Sequence, residues 1–148
     1  MKIDKIMSSD VVTITMDDPI KSAKDIFEKR GFHHLLVIED GKLFGVLSDR
    51  DLLKAISPNV DSISATTKDL ATLEKRVHQI MSREPIYLQH GAKVKDAVRL
   101  FNEHKISCIP VVDAKMKPVG ILSWRDIMKQ LLRWVEKREH DASKEMKR

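Results

Sequence analysis

An α+β fold built from two tandem β-α-β-β-α units is the architecture this sequence predicts, and three observations carry the prediction. Residues 6–56 recur at 80–131: Ile6-Met7-Ser8 returns as Ile80-Met81-Ser82, and Lys21, Ala23, Phe27 and Val37 return at one constant offset as Lys95, Ala97, Phe101 and Val111. Within each copy, short β-branched runs alternate with a stretch of helical periodicity. Each copy also holds two apolar runs parted by turn residues, the mark of a hairpin. Units repeated in this way rarely bury their apolar faces alone, so the copies are expected to pack as one pseudo-symmetric pair.

Val11-Val12-Thr13-Ile14-Thr15 and Pro85-Ile86-Tyr87-Leu88 read as the opening strands. A helix follows over Ile20–Lys29, with Ile20, Ala23, Ile26 and Phe27 on one face, and Val94, Ala97, Val98, Leu100 and Phe101 repeat that stripe. Asp18-Pro19 fits its start, Asp as cap and Pro at the first helical position. Leu35–Ile38 and Ile109–Val112 are continuous apolar runs, followed by the turn signals Asp40-Gly41 and Ala114–Pro118 and by the partner strands Leu43–Leu47 and Val119–Leu122. A second helix begins after Ser48 and after Ser123. The segment 58–79 opens as loop, and Leu70, Leu73 and Val77 predict a linking helix at its end. The last helix is expected from Arg125 to about Glu136, with Ile127, Leu131, Trp134 and Val135 forming a broad apolar face. The domain plan is therefore repeat one at 1–57, a linker at 58–79, repeat two at 80–135 and a charged tail at 136–148.

The chain has 148 residues, 42% apolar and 33% charged, which is one domain's worth of core with a hydrated surface. No apolar run approaches the roughly 20 residues of a membrane-spanning helix. Lys2, Asp4 and Lys5 interrupt the start, so neither a signal segment nor a membrane association is expected and the cytoplasm is the expected compartment. The single cysteine, Cys108, excludes an intrachain disulfide and a multi-thiol zinc motif. The net charge of +5 is interspersed with acidic residues and lacks aromatic interleaving, which argues against nucleic acid as the partner.

One motif carries chemistry. Gly45-Val46-Leu47-Ser48-Asp49-Arg50-Asp51 recurs as Gly120-Ile121-Leu122-Ser123-Trp124-Arg125-Asp126: glycine, two apolar strand residues, serine, two variable positions and aspartate. This resembles the signature of the cystathionine-β-synthase-type (CBS) domain, and its duplication resembles a CBS pair, or Bateman module, over 6–56 and 80–135. Since the resemblance takes up nearly the whole chain, a stand-alone CBS-pair protein without an attached enzyme or transporter is expected. It implies a non-enzymatic sensor that binds an adenosine compound (AMP, ADP, ATP or S-adenosylmethionine) in clefts between the paired domains, with no covalent cofactor. Carried over, Asp51 and Asp126 accept from ribose hydroxyls, Ser48 and Ser123 meet phosphate, and Arg50 and Arg125 are phosphate partners. Adenine would lie near Val12 or Ile86 and read backbone groups around His34 or Cys108.

The same letters have a structural reading, because Ser-x-x-Asp at a helix start is also a capping box that needs no ligand. The copies differ as well: Leu36 stands where the second copy has Pro110, and His33-His34 where it has Ser107-Cys108, so the two sites are not expected to be equivalent. His33 and His34 occupy positions where some family members carry phosphate-contacting basic residues. As neighbours on a strand they point to opposite faces, which disfavours a shared metal ion. Cys108 reads as a small buried residue rather than a nucleophile. Trp124, in place of Asp49, is positioned either to stack on a base at a cleft rim or to face a second copy of the chain. No complete catalytic constellation is present. A homodimer through the terminal helix is expected, with a ligand-free dimerisation or protein-docking module as the competing function, and an unidentified protein partner fits either.

Overall fold

The computed structural model describes residues 1–147. Two sheets form, each flanked by its own helices. In repeat one, β1 (Thr13–Thr15) pairs in parallel with β2 (His34–Glu39), and β2 pairs antiparallel with β3 (Lys42–Ser48). Helix α1 (Ile20–Arg30) makes the crossover between the parallel strands, and α2 (Asp49–Ala55) follows β3. Repeat two matches it with β5 (Leu88–Gln89), α4 (Val94–Glu103), β6 (Cys108–Val112), β7 (Pro118–Ser123) and α5 (Trp124–Met146). A register shift falls at Val37/Ile38 in one hairpin and at Val111/Val112 in the other, the same place in each copy. The hairpin pairing follows the periodicity of the sequence, and so do the buried positions Ile20, Ala23 and Phe27 of α1 and Val94 and Ala97 of α4, whereas Val98 is exposed. No described helix is long and apolar enough to cross a membrane.

The repeats exchange their lead-in segments. The strand β4 (Ser82–Arg83), which precedes repeat two, pairs antiparallel with β3 of repeat one. Reciprocally, Ser8 bridges Ile121 of β7, the two backbone N–H groups each donating at 2.9 Å to the other residue's carbonyl. The cores follow the exchange. Val77 and Met81 are buried with Ile14, Ile20, Phe27, Leu35 and Leu47 of repeat one, while Ile3 is buried with Val94, Ile109, Val111 and Leu122 of repeat two. Leu36, Leu43 and Val112 form a third cluster where the repeats meet. Each repeat therefore lacks part of its core when taken alone, which is the physical content of the duplication.

The exchange also explains the motif glycines. A Cβ at Gly45 would lie 2.6 Å from the Ser82 carbonyl oxygen, and one at Gly120 would lie 2.5 Å from Met7 Sδ. Only glycine lets the lead-in segment of the other repeat approach so closely.

Four local expectations are corrected. Asp18 does not cap α1: its Oδ2 accepts from Thr15 N at 2.9 Å, closing the preceding turn, and Pro19 holds the cap position without a side-chain bond. The linking helix is one short piece, α3 (Thr67–Ala71), which tightens into 3-10 turns at Thr72–Glu74 and Val77–Gln79 because Val77 is drawn into the core of repeat one. Val11-Val12 and Pro85-Ile86 both stay outside their strands, and β5 loses Tyr87 as well, where Pro110 lacks the N–H that Leu36 donates at the equivalent place. The terminal helix does not stop near Glu136 but continues to Met146, as the charged run 136–147 contains neither Gly nor Pro to end it.

Candidate functional site: two clefts between the repeats

Two clefts of similar size open where the repeats meet. The first, about 240 Å³, sets Val11 and Val12 of repeat one against Ile121, Ser123 and Asp126 of repeat two. The second, about 210 Å³, sets Pro85 and Ile86 of repeat two against Val46, Ser48 and Asp51 of repeat one. Each cleft thus joins the opening segment of one repeat to the Ser-x-x-Asp turn of the other. The sequence paired the right residue types but could not assign which turn faces which wall. That assignment follows from the packing of the two sheets, which no local pattern encodes.

A wider groove of about 710 Å³ lies between the clefts, lined by Ser48, Asp49, Arg50, Lys105, Ser123 and Arg125 among others. Arg50 and Arg125 line this groove and neither cleft. Trp124 also lines it, and on its other side borders an apolar groove between α4 and α5 that includes Val98, Phe101 and Met128. It lines neither cleft interior.

Both Ser-x-x-Asp turns are complete capping boxes. Asp51 N donates to Ser48 Oγ at 3.0 Å and Ser48 N donates to Asp51 Oδ2 at 3.0 Å. Asp126 N donates to Ser123 Oγ at 3.2 Å, and Ser123 N and Oγ donate to Asp126 Oδ2 at 2.8 and 3.0 Å. Every one of these bonds that a carboxylate accepts goes to its Oδ2. Oδ1 of each carboxylate has no hydrogen-bond partner among the described residues while both carboxylates line their clefts. Capping and ligand binding are therefore compatible: one oxygen holds the helix start and the other is free to accept a hydrogen bond.

His33 and His34 diverge, as neighbours on an extended backbone must. His33 Nδ1 pairs with Asp49 Oδ2 at 2.8 Å, and His34 Nε2 lies 3.0 Å from Ser107 Oγ across the repeat boundary. His34 and Cys108, equivalent in the two copies, line both clefts and form their common wall. Burial, the largest influence, lowers the basicity of His34; His33 adds to this, while Asp49 and Asp51 oppose it. Burial also pushes the Cys108 thiol up to about 12, so it is a neutral, unreactive wall group.

Sequence reasoning did not single out Asp10, Lys105 or Phe32, which line the clefts. The repeat alignment holds the signal for two of them, since Lys105 is the counterpart of Gly31 and Asp10 of Glu84.

A tandem pair of β-α-β-β-α units with exchanged lead-ins and two inter-repeat clefts defines a class of paired-repeat domains. Residues 3–58 and 77–133 match the CBS domain model, and the chain belongs to the CBS domain family. Protein MJ1225 of Methanocaldococcus jannaschii is 26% identical over 128 residues, covering 86% of this chain and 46% of that protein. Its crystal structure has a TM-score of 0.74 at 25% identity, covering 88% of this chain and 47% of that one. The chain spans less than half the length of the curated relatives it matches first, 46% of MJ1225 and 27% of a second Methanocaldococcus protein. Among the solved structures matched over nearly their full length are two ligand complexes. CBSX2 in complex with AMP has a TM-score of 0.74 at 25% identity, with coverage of 89% of this chain and 97% of that one. The CBS domain pair of protein MJ0100 in complex with 5′-methylthioadenosine and S-adenosyl-L-methionine has a TM-score of 0.72 at 26% identity, with coverage of 88% and 99%.

Proposed function

We propose that this chain is a non-enzymatic regulatory module that binds an adenosine-containing ligand in its inter-repeat clefts. The observation that carries the reading is the crossed composition of each cleft, an apolar wall from one repeat facing a carboxylate with a free oxygen from the other. Val12 or Ile86 is suited to a base, and Asp126 or Asp51 to a ribose hydroxyl. A ligand so held touches both repeats and favours one arrangement of them over another, which is what regulation by binding requires. The complexes of CBSX2 with AMP and of the MJ0100 pair with adenosine derivatives support the ligand class. A cytoplasmic setting belongs to the same proposal, on the strength of the ligand class.

The test is a thermal-shift panel of AMP, ADP, ATP, S-adenosylmethionine and NAD on the full chain. A ligand at about 100 times its dissociation constant stabilises by ~2.7 kcal/mol, a readily visible shift. Absence of any shift across the panel overturns the reading.

A second reading rests on α5, whose residues Trp124, Met128, Leu131, Leu132, Trp134 and Val135 are all exposed. Such a stripe on a monomer marks an interaction surface. We propose that it forms a homodimer contact; should the panel be silent, dimerisation or docking through this helix becomes the primary function.

A further inference from the structure

We propose that the two clefts divide their ligands by charge: the Asp51 cleft takes a phosphorylated adenine nucleotide, and the Asp126 cleft takes an adenosine derivative without phosphate. This rests on the adenosine reading above and goes beyond it by assigning a ligand class to each cleft.

Two differences in charge at equivalent positions point the same way. Lys105 lines the Asp51 cleft and the shared groove, whereas its counterpart Gly31 brings no side chain to the Asp126 cleft. Asp10 lines the Asp126 cleft, while its counterpart Glu84, at φ 51°, lies in a separate pocket beside Phe44 and Tyr87. The Asp126 cleft is thus lined by two carboxylates and no lysine or arginine, and in the Asp51 cleft one lysine balances one carboxylate.

A separate difference concerns the base, which both ligand classes share. Leu36 N donates to the Val12 carbonyl at 3.2 Å, so that carbonyl already accepts one hydrogen bond. At the equivalent place Pro110 has no N–H, and the Ile86 carbonyl accepts no hydrogen bond among the described residues. It is a free acceptor on the wall of the Asp51 cleft, suited to an exocyclic amino group.

The shared groove limits the outcome further. Its cations are Arg50, Lys105 and Arg125, offset by Asp49. Phosphates entering from both clefts would meet there with more negative charge than these side chains neutralise, and like charges in one site repel. One polyphosphate per chain is the consequence, and Lys105 decides on which side its nucleoside lies.

Isothermal titration of the full chain with ATP and with adenosine tests this. One ATP per chain is expected, with adenosine still binding to the ATP-saturated protein. Lys105→Ala weakens ATP by about tenfold and adenosine by less than about twofold, and Lys105→Arg retains ATP, since a charge-assisted contact is lost only in the first variant. Asp51→Asn weakens ATP by about tenfold or more and Asp126→Asn weakens adenosine similarly; melting curves of both variants verify that the fold persists. Two ATP molecules of comparable affinity, an ATP affinity indifferent to Lys105→Ala, or the reverse assignment of the two aspartates overturns the division of labour and leaves the adenosine reading standing. Titrations silent with both probes overturn both.

Discussion

The two repeats carry one backbone plan and different chemistry, and the difference lies at a few aligned positions rather than in the fold. Sheets, bulges, capping boxes and lead-in exchange are duplicated, down to the register shift inside each hairpin. What diverges is Gly31 against Lys105, His33-His34 against Ser107-Cys108, Leu36 against Pro110, Asp49 against Trp124, and a second helix of 7 residues against one of 23. A duplicated scaffold fixes where the clefts are, and drift at their rims then makes them unlike. The exposed stripe on α5 belongs to the same divergence, since α2 ends at Ala55 and has no comparable extension.

The largest expected effect concerns that extension. Leu131→Glu with Leu132→Glu, or truncation after Gln130, converts a dimer to a monomer in light scattering at tens of micromolar, because charges placed in an apolar interface remain unpaired. The matching change on the first repeat, Leu53→Glu at an exposed position of α2, leaves the mass unchanged. A monomeric wild type removes the dimer, and equal loss of nucleotide affinity on truncation places the helix in the binding core instead.

Next comes the glycine pair. Gly45→Ala drives a Cβ against a backbone carbonyl, that of Ser82, which the β3–β4 pairing holds in place. Gly120→Ala meets the thioether of Met7, the flexible end of a side chain. Overpacking costs about 1–3 kcal/mol, with Gly45→Ala expected at the upper end and Gly120→Ala at the lower. Denaturant titration measures both. Equal losses would mean that Met7 is as immobile as the backbone.

Pro110→Leu sharpens the comparison at the base-reading edge, since it gives β6 the N–H that β2 has at Leu36. That group then donates to the Ile86 carbonyl and competes with any ligand for it. A typical hydrogen bond is worth about 0.5–1.5 kcal/mol, so nucleotide affinity at the Asp51 cleft falls about two- to tenfold while adenosine at the Asp126 cleft is unaffected. Unchanged affinity at both would remove the carbonyl from base recognition.

Most of this fold is legible in the sequence because its signals are local or duplicated. Apolar runs around Val37 and Val111 mark the central strands, and Ser48 and Ser123 mark the helix starts. The lead-in exchange is not legible: Ile6-Met7-Ser8 and Ile80-Met81-Ser82 stand out as repeats, but nothing near them says that each packs in the other unit. The composition of the clefts is hidden for the same reason, as Val12 meets Asp126 and not Asp51 only after the sheets have docked. Helix length failed differently, since a polar run such as 136–146 has helix-forming residues but no apolar stripe to reveal it.

The smallest expected effect, and the one most specific to the asymmetry, is pH dependence at the common wall. His34 is half-buried against Ser107, with Asp49, His33 and Asp51 acting on it and Asp10, Asp126 and Lys105 lining the clefts it walls, and its counterpart Cys108 does not titrate near neutrality. Burial holds the folded imidazole below its ordinary value of 6.5, so between that value and the folded one the unfolded chain binds more protons than the folded chain. Stability contributed by neutral His34 is therefore complete above about pH 6.5 and declines as pH falls toward the folded value. His34→Gln keeps a polar group within reach of Ser107 but cannot titrate, and it flattens the slope of stability against pH between 7.5 and 5.5. Urea melts at half-unit intervals measure that slope. The same change made at Cys108 leaves the slope intact, and if His34→Gln also leaves it intact, another group carries the pH dependence and the common wall is electrostatically symmetric.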